Sequence, residues 1–441
     1  MRNKSSKKVM KIHTGKVEKS FTEERITSHS GLAIIWDYIV TIGLPGVINR
    51  AFPTKETSAG RFTNVQILLS IVLANLSGVH RLLRMENFSK DPLVSHLLRL
   101  SCKIEDSTYK DRLLKLGKSG SFLLQSFLFI QTRKWISKCG LSRITIDCDS
   151  TVQTVYGKQE GSAIGFNPHK KGAASYHPLV CYYSEMKLLI NSWFRTGSAY
   201  TSNGICQFMS QTLWVLPKKI RQIFFRADSG FFNGALFDLL EQKGHEYLVK
   251  VKLKNLQGLL KKQSWTAPNN KVSICEFNYK AAEWKVARKL KAIRILTGFS
   301  CYEFMGEVYK VPIYEYFCYC SNLKGLDVKG LHILYGARAE SENWIEQTKN
   351  QLHASQTVTD NFDVNDILWQ LAVLGYNLSV MIRYEADHKE WRQEPVTFMR
   401  WFINVPAKVV HSARKVFVKM SVHYWESHRW QAFALKVASS A

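Results

Sequence analysis

Two runs of almost unbroken apolar character, RITIDCD at 143–149 and QIFFRAD at 222–228, each stop at an aspartate followed by Ser-Thr or Ser-Gly. Apolar runs of this length and β-branched content read as strands buried on both faces, which occur in sheets covered by helices. A carboxylate placed where such a strand stops lies at the edge of the sheet, and a charge there needs a partner. In the first run Asp147 and Asp149 share a face, because side chains alternate along a strand. Further strand-like runs at 177–183, 187–194 and 246–251, with helical periodicity at 204–216 and 233–242, complete the pattern of a mixed α/β unit.

The chain on either side has a different texture. Residues 64–139 carry apolar residues at three- and four-residue intervals, the mark of a helical N-terminal domain. Residues 254–328 hold strand-like runs and no convincing helix, and so read as a β-rich insertion. HILY at 332–335 reads as one more strand, followed by helices to about 353 and over 364–383. The expected organisation is a basic helical N-terminal domain (1–140), an α/β domain in two pieces (141–253 and 330–385), the insertion (254–329) and a basic helical C-terminal region (386–441). The tripeptide Asp106-Ser107-Thr108 repeats residues 149–151 but follows no apolar strand, and it reads as a helix start.

Charge narrows the partner. With 61 Lys and Arg against 35 Asp and Glu the formal net charge is +26, which calls for a polyanion. No apolar stretch approaches the roughly 20 residues of a membrane span, so nucleic acid is expected rather than a bilayer. The nine cysteines are scattered without a C-x-x-C pair, which argues against a disulfide framework or a zinc cage and suits a reducing cytoplasm. The start of the chain is basic but lacks the apolar segment of a secretory signal. Residues 243–295 hold thirteen Lys and Arg against three Glu, interleaved with Trp265, Tyr279 and Trp284, a composition suited to tracking a nucleic-acid strand.

Phosphodiester chemistry near neutral pH is commonly run by two divalent cations held by carboxylates from separate elements. A third acid is offered by YGARAESENWIEQTK, in which Tyr335, Arg338, Glu342 and Lys349 stand at offsets of 3, 4 and 7. On a helix these offsets put Arg338, Glu342 and Lys349 on one face. Taken alone, that face is an ordinary exposed ion pair. Strand-Asp149-Ser-Thr, strand-Asp228-Ser-Gly and Tyr335-x2-Arg338-x3-Glu342-x6-Lys349 together resemble the DDE transposases of bacterial insertion sequences, and the last piece matches the YREK signature of their cut-and-paste branch.

The resemblance spans about residues 140–385, and TVYGKQEGSAIGFNPHKKGAASYHPL is similar to the segment joining the first two core strands in one subfamily. It implies a ribonuclease H-like mixed sheet flanked by helices, with Asp149, Asp228 and Glu342 as catalytic ligands of two Mg2+ ions, Mn2+ being able to substitute. Asp147 is the rival for the first ligand; the Ser-Thr after Asp149 favours the latter. Tyr335, Arg338 and Lys349 would contact DNA, with His169, Lys170 and Lys171 as further candidate contacts. The implied partners are double-stranded transposon ends and target DNA, with a homodimer in the synaptic complex, acting in the bacterial cytoplasm at the nucleoid. Two other readings stand beside it: an inactive or domesticated DNA-binding protein, and a ribonuclease H-like nuclease without strand transfer.

Overall fold

The computed structural model describes residues 11–14, 17–54, 61–165, 167, 170–200, 202–356, 359–386 and 391–440. After two shorter helices, Leu32–Thr41 and Leu44–Ala51, come α1 (Asn64–Leu76) and α2 (Asp106–Lys138), the latter kinked at Gly117, where φ is positive. A capping box between Thr63 and Gln66 starts α1, closing two of the amide donors that a helix start leaves open.

Five strands form the core of the sheet: β1 (Arg143–Ser150), β2 (Leu179–Tyr183), β3 (Leu188–Trp193), β4 (Gln222–Ala227) and β5 (Glu246–Lys250). Their order is β3-β2-β1-β4-β5. β4 and β5 run parallel to β1, while β2 is antiparallel to it and β3 to β2. That order and these directions, with helices packed on the sheet, make this a ribonuclease H-like mixed α/β fold. All three parallel strands end at the same edge. The helices α3 (Ile205–Val215) and α4 (Gly234–Gln242) make the crossovers that parallel pairing requires.

The outer strand β3 is closed off by α7 (Phe362–Ala386), whose fully buried Asn377 accepts from Leu189 N at 2.9 Å and donates to Leu189 O at 2.8 Å. A buried amide there satisfies backbone groups that an edge strand leaves open. The same helix packs on α1 and α2, so that Leu68, Leu124, Ile146 and Leu374 belong to one continuous hydrophobic cluster. The N-terminal helices are therefore part of the core that backs the sheet.

The expected insertion is β-rich, but it extends the main sheet rather than forming a separate layer. Its strands β6 (Val272–Tyr279), β7 (Arg288–Phe304) and β8 (Glu307–Ser321) add antiparallel beyond β5 in the order β5-β8-β7-β6. β6 pairs with β7 only as far as Ile295, so past Gly298 β7 and β8 continue as a two-stranded ribbon exposing Phe299, Tyr302, Phe304 and Val308. One short helix, Leu256–Lys261, lies in this region where none was expected.

Three other expectations are corrected. HILY is not a strand: it belongs to the helix α5 (Val328–Gly336), started by Asp327, whose side chain accepts from Gly330 N at 2.7 Å. A four-residue apolar run fits either periodicity, and the cap decides it. The C-terminal region is not wholly helical, since Ala407–Ser412 and Lys415–Met420 form a hairpin before the final helix Ser427–Ser440. Its two-residue turn, Ala413-Arg414, has both φ angles positive, the hairpin geometry that matches strand twist. The N-terminal region also contains strands: Lys11–Thr14 pairs with Val17–Ser20, and Ile26–Thr27 pairs with Ala407 and Lys408.

Candidate active site

At the shared edge of β1, β4 and β5 lies a cavity of about 730 Å3, lined among others by Asp149, Thr151, Asp228, Lys250, Tyr335, Arg338, Glu342 and Lys349. Each acid comes from a different element. Asp149 is next to last in β1, and its Oδ1 accepts from Ser150 N at 2.8 Å. Asp228 follows β4 and caps the turn Ser229–Phe231, its Oδ1 accepting from Gly230 N at 2.9 Å. Glu342 sits in the first turn of α6 (Ala339–Glu346), with a side chain 68% exposed.

Arg338 joins two of them. Its Nη2 donates to Asp149 Oδ2 at 2.5 Å and its Nη1 lies 3.8 Å from Glu342 Oε1. The sequence spacing pointed to an exposed ion pair, yet the Arg338 side chain is only 6% exposed. Burial opposes its charge, but Asp149, Tyr335 and Asp228 outweigh that and hold its proton more tightly than usual. Its Nε has no hydrogen-bond acceptor among the described residues, so one donor of the fork remains free. Burial pushes the Asp149 carboxyl up to about 6, Arg338 pulling the other way and Asp228 and Glu342 adding to the rise.

Asp147 is fully buried and turned to another task. Its two carboxylate oxygens accept from Arg226 Nε and Nη2, both at 2.7 Å, and Oδ2 also accepts from Ser184 Oγ at 2.5 Å. Of the two rivals on this strand, Asp149 is the one that lines the cavity.

Tyr335, at the end of α5, packs on Tyr319 with ring centroids 5.0 Å apart, and burial raises its phenol to about 12. Lys349 falls in a π-helical turn, Gln347–Gln351, and its Nζ donates to Val152 O at 3.0 Å, fastening the helix to the chain leaving β1. Burial lowers the pKa of its ammonium. Lys170 and Lys171 are exposed and do not line the cavity; Lys170 lies over the Tyr156 ring at 4.7 Å. His169 is outside the described residues.

Two contributors are not among the site residues expected from the sequence. Lys250 ends β5 at the same edge as the two aspartates, and the run EYLVK carried the same signal, a charge at the end of an apolar strand. His177 supports the β1 end: its Nδ1–H donates to Ala199 O at 2.5 Å, leaving Nε2, 3.1 Å away, to accept from Ser150 Oγ. Burial lowers its pKa, in keeping with a neutral ring. Arg195 donates to the backbone oxygens of His177, Tyr200 and Asn203. Trp284 is buried against Phe232 and Phe237, and Trp265 packs on Tyr316.

Asp149, Asp228 and Glu342 present hard carboxylate oxygens, the donor type that Mg2+ and Mn2+ take. The raised Asp149 pKa reflects first of all its burial, with Asp228 and Glu342 adding to it against Arg338, and a cation held by the carboxylate would favour the charged form. Among the described residues, however, no three His, Cys, Asp or Glu side chains are drawn together into a finished ligand set. In this arrangement one Asp149 oxygen is held by the Arg338 guanidinium.

Residues 9–440 match the family described as Transposase DDE domain group 1. No curated protein matches the chain. Among solved structures, the piggyBac transposase synaptic complex with hairpin DNA is 13% identical, covering 86% of this chain and 81% of that one with a TM-score of 0.42. The Mos1 transposase paired-end complex with left transposon end is 10% identical, covering 44% of this chain and 60% of that one with a TM-score of 0.19.

Proposed function

Because this chain belongs to the family of transposases with a group 1 DDE domain, we propose that it binds the ends of a bacterial insertion sequence and moves it by cut-and-paste DNA cleavage and strand transfer. The observation that carries this reading is that three carboxylates from three separate elements line one cavity at the edge of the sheet. Asp149, Asp228 and Glu342 would hold two Mg2+ ions, or Mn2+ in their place. When bound, such ions activate an attacking water or 3′-hydroxyl and stabilise the leaving oxygen.

The chain's own residues do the rest. Arg338 donates to Asp149 Oδ2. A planar guanidinium suits phosphate oxygens, so a DNA phosphate entering the cavity offers Arg338 another anion and frees the carboxylate for the cation. Tyr335 stays protonated at neutral pH and is a neutral donor beside the same phosphate. Lys250 and Lys349 add positive charge along the wall, and the exposed Lys170 and Lys171 suit contacts further along the duplex. Joining two ends calls for a homodimer. The chain would act on DNA in the cytoplasm, at the nucleoid; no single helix among the described residues is long and apolar enough to cross a membrane.

The test uses purified protein and labelled DNA from the flanks of its own gene. Mg2+-dependent cutting at a terminal repeat, with joined products on a target plasmid and neither in EDTA, is the expected result. Binding without cutting would favour the DNA-binding protein, and cutting without joining the nuclease.

A further inference from the structure

We propose that Arg226 is the positioning residue of this site, a buried guanidinium that aligns the two strands ending at Asp149 and Asp228 with α5, the helix leading into the one that carries Glu342. The inference rests on the reading of Asp149, Asp228 and Glu342 as the acids of a DNA-cutting centre. Arg226 lies on β4 two residues before Asp228. Its Nε and Nη2 donate at 2.7 Å to the two carboxylate oxygens of Asp147, which lies on β1 two residues before Asp149. Its Nη1 donates at 3.0 Å to Leu334 O on α5, the helix that leads through Arg338 to Glu342. One side chain on β4, two residues before Asp228, is therefore bonded to β1 two residues before Asp149 and to α5, the helix that precedes the one carrying Glu342.

The energetics favour a role in geometry. The Arg226 side chain is 6% exposed and that of Asp147 0%, and a buried ion pair gains little stability over apolar residues of similar volume because both charges lose their water. Cohesion of β1 and β4 does not need it, since their ladder already runs from Gln222 opposite Arg143 to Ala227 opposite Cys148. The distance of α5 from the sheet is set by the apolar cluster of Phe224, Leu248, Val328 and Leu331. Apolar contact is non-directional, so it leaves the rotation and sliding of α5 weakly determined. The bond to Leu334 O supplies the missing direction, and a site of this kind must be held to within about 0.5 Å.

The experiment compares wild type, Asp147→Leu/Arg226→Met and Arg226→Lys as full-length proteins, measuring thermal midpoint, end-DNA affinity, Mn2+ affinity by electron paramagnetic resonance and single-turnover cleavage. The double variant removes both charges together and leaves no buried ion unpaired, so its midpoint should fall less than that of Asp147→Asn, although Ser184 Oγ and Leu334 O each lose a partner. Its Mn2+ affinity should fall by about tenfold or more, as when outer partners of metal ligands are removed. Cleavage should fall by about a hundredfold with end-DNA affinity little changed, the signature of misplacement on the order of 1 Å. Arg226→Lys keeps the charge but not the three-way fork, and should lie between the two. A folded double variant with wild-type Mn2+ affinity and cleavage would overturn the proposal; if it does not fold, wild-type values for Arg226→Lys would do so. A wild type that cuts no DNA would count against the proposed function instead, and the Mn2+ affinities would still decide the role of Arg226.

Discussion

Substituting Asp147 and Asp149 in turn separates a structural acid from a candidate catalytic one two positions away. Asp149→Asn keeps the shape of the cavity wall but removes charge from the donor set, so cleavage should fall below detection while end-DNA affinity in a gel shift changes only a few-fold. Asp147→Asn leaves the Arg226 charge buried without its counter-ion, a change that typically costs about 3 to 5 kcal/mol and should be plain in a thermal melt. A third residue is exposed by pH. His353 lies against His80 with ring centroids 3.8 Å apart, and burial and then His80 push its pKa down to about 4. The unfolded chain, with an ordinary His value near 6.5, takes up the proton first, so stability is lost as pH falls from about 6.5 to 4. His353→Asn, which tolerates the positive φ of this position, should flatten that fall in urea midpoints measured at pH 4.5 and 7. The cavity aspartates were legible because an acid that closes an apolar strand has nowhere to go but the sheet edge. Arg226 was less so: a charge inside IFFRAD announces a buried partner, but nothing in the order of residues names it.

Among the elements, those with long or repeated patterns were readable and the short ones were not. The five core strands and the long helices carry enough apolar residues for periodicity to decide. HILY does not, and its helix depends on Asp327 reaching Gly330 N. The C-terminal hairpin was hidden for another reason: in AKVVHS and KVFVKM the alternation is interrupted, and the turn between them lacks the usual Asn or Gly. The protruding ribbon makes a prediction at this scale. Because residues beyond Gly298 are mostly exposed on both strands, replacing 299–312 with a tight turn should leave the denaturation midpoint unchanged within about 1 kcal/mol. It should also lower binding of a hydrophobic dye, since Phe299, Tyr302 and Phe304 go with it.

Over the whole molecule the charge of +26 predicts that end binding weakens steeply with salt, with a log-log slope of roughly −0.9 per phosphate neutralised on duplex DNA. Filter binding across a salt series should show this, and a flat response would mean that the surplus charge does not face the duplex. What the residue order did not disclose at this scale is how far the parts share one interior. The N-terminal helices look like a separate domain because their stripes are those of any bundle, and only the packing of α1 and α2 on α7 makes them part of the same core. The pairing of Ile26–Thr27 with Ala407 and Lys408 carries this further, into the order in which the protein is made. Those two pairing segments leave the ribosome some 380 residues apart, which at about 5 to 20 residues per second is an interval on the order of tens of seconds. Throughout it the early strand has no mate, and the three-stranded sheet it shares with the C-terminal hairpin can close only after translation has passed residue 420. A ribosome that stalls before that point releases a chain whose Ile26–Thr27 strand is still unpaired.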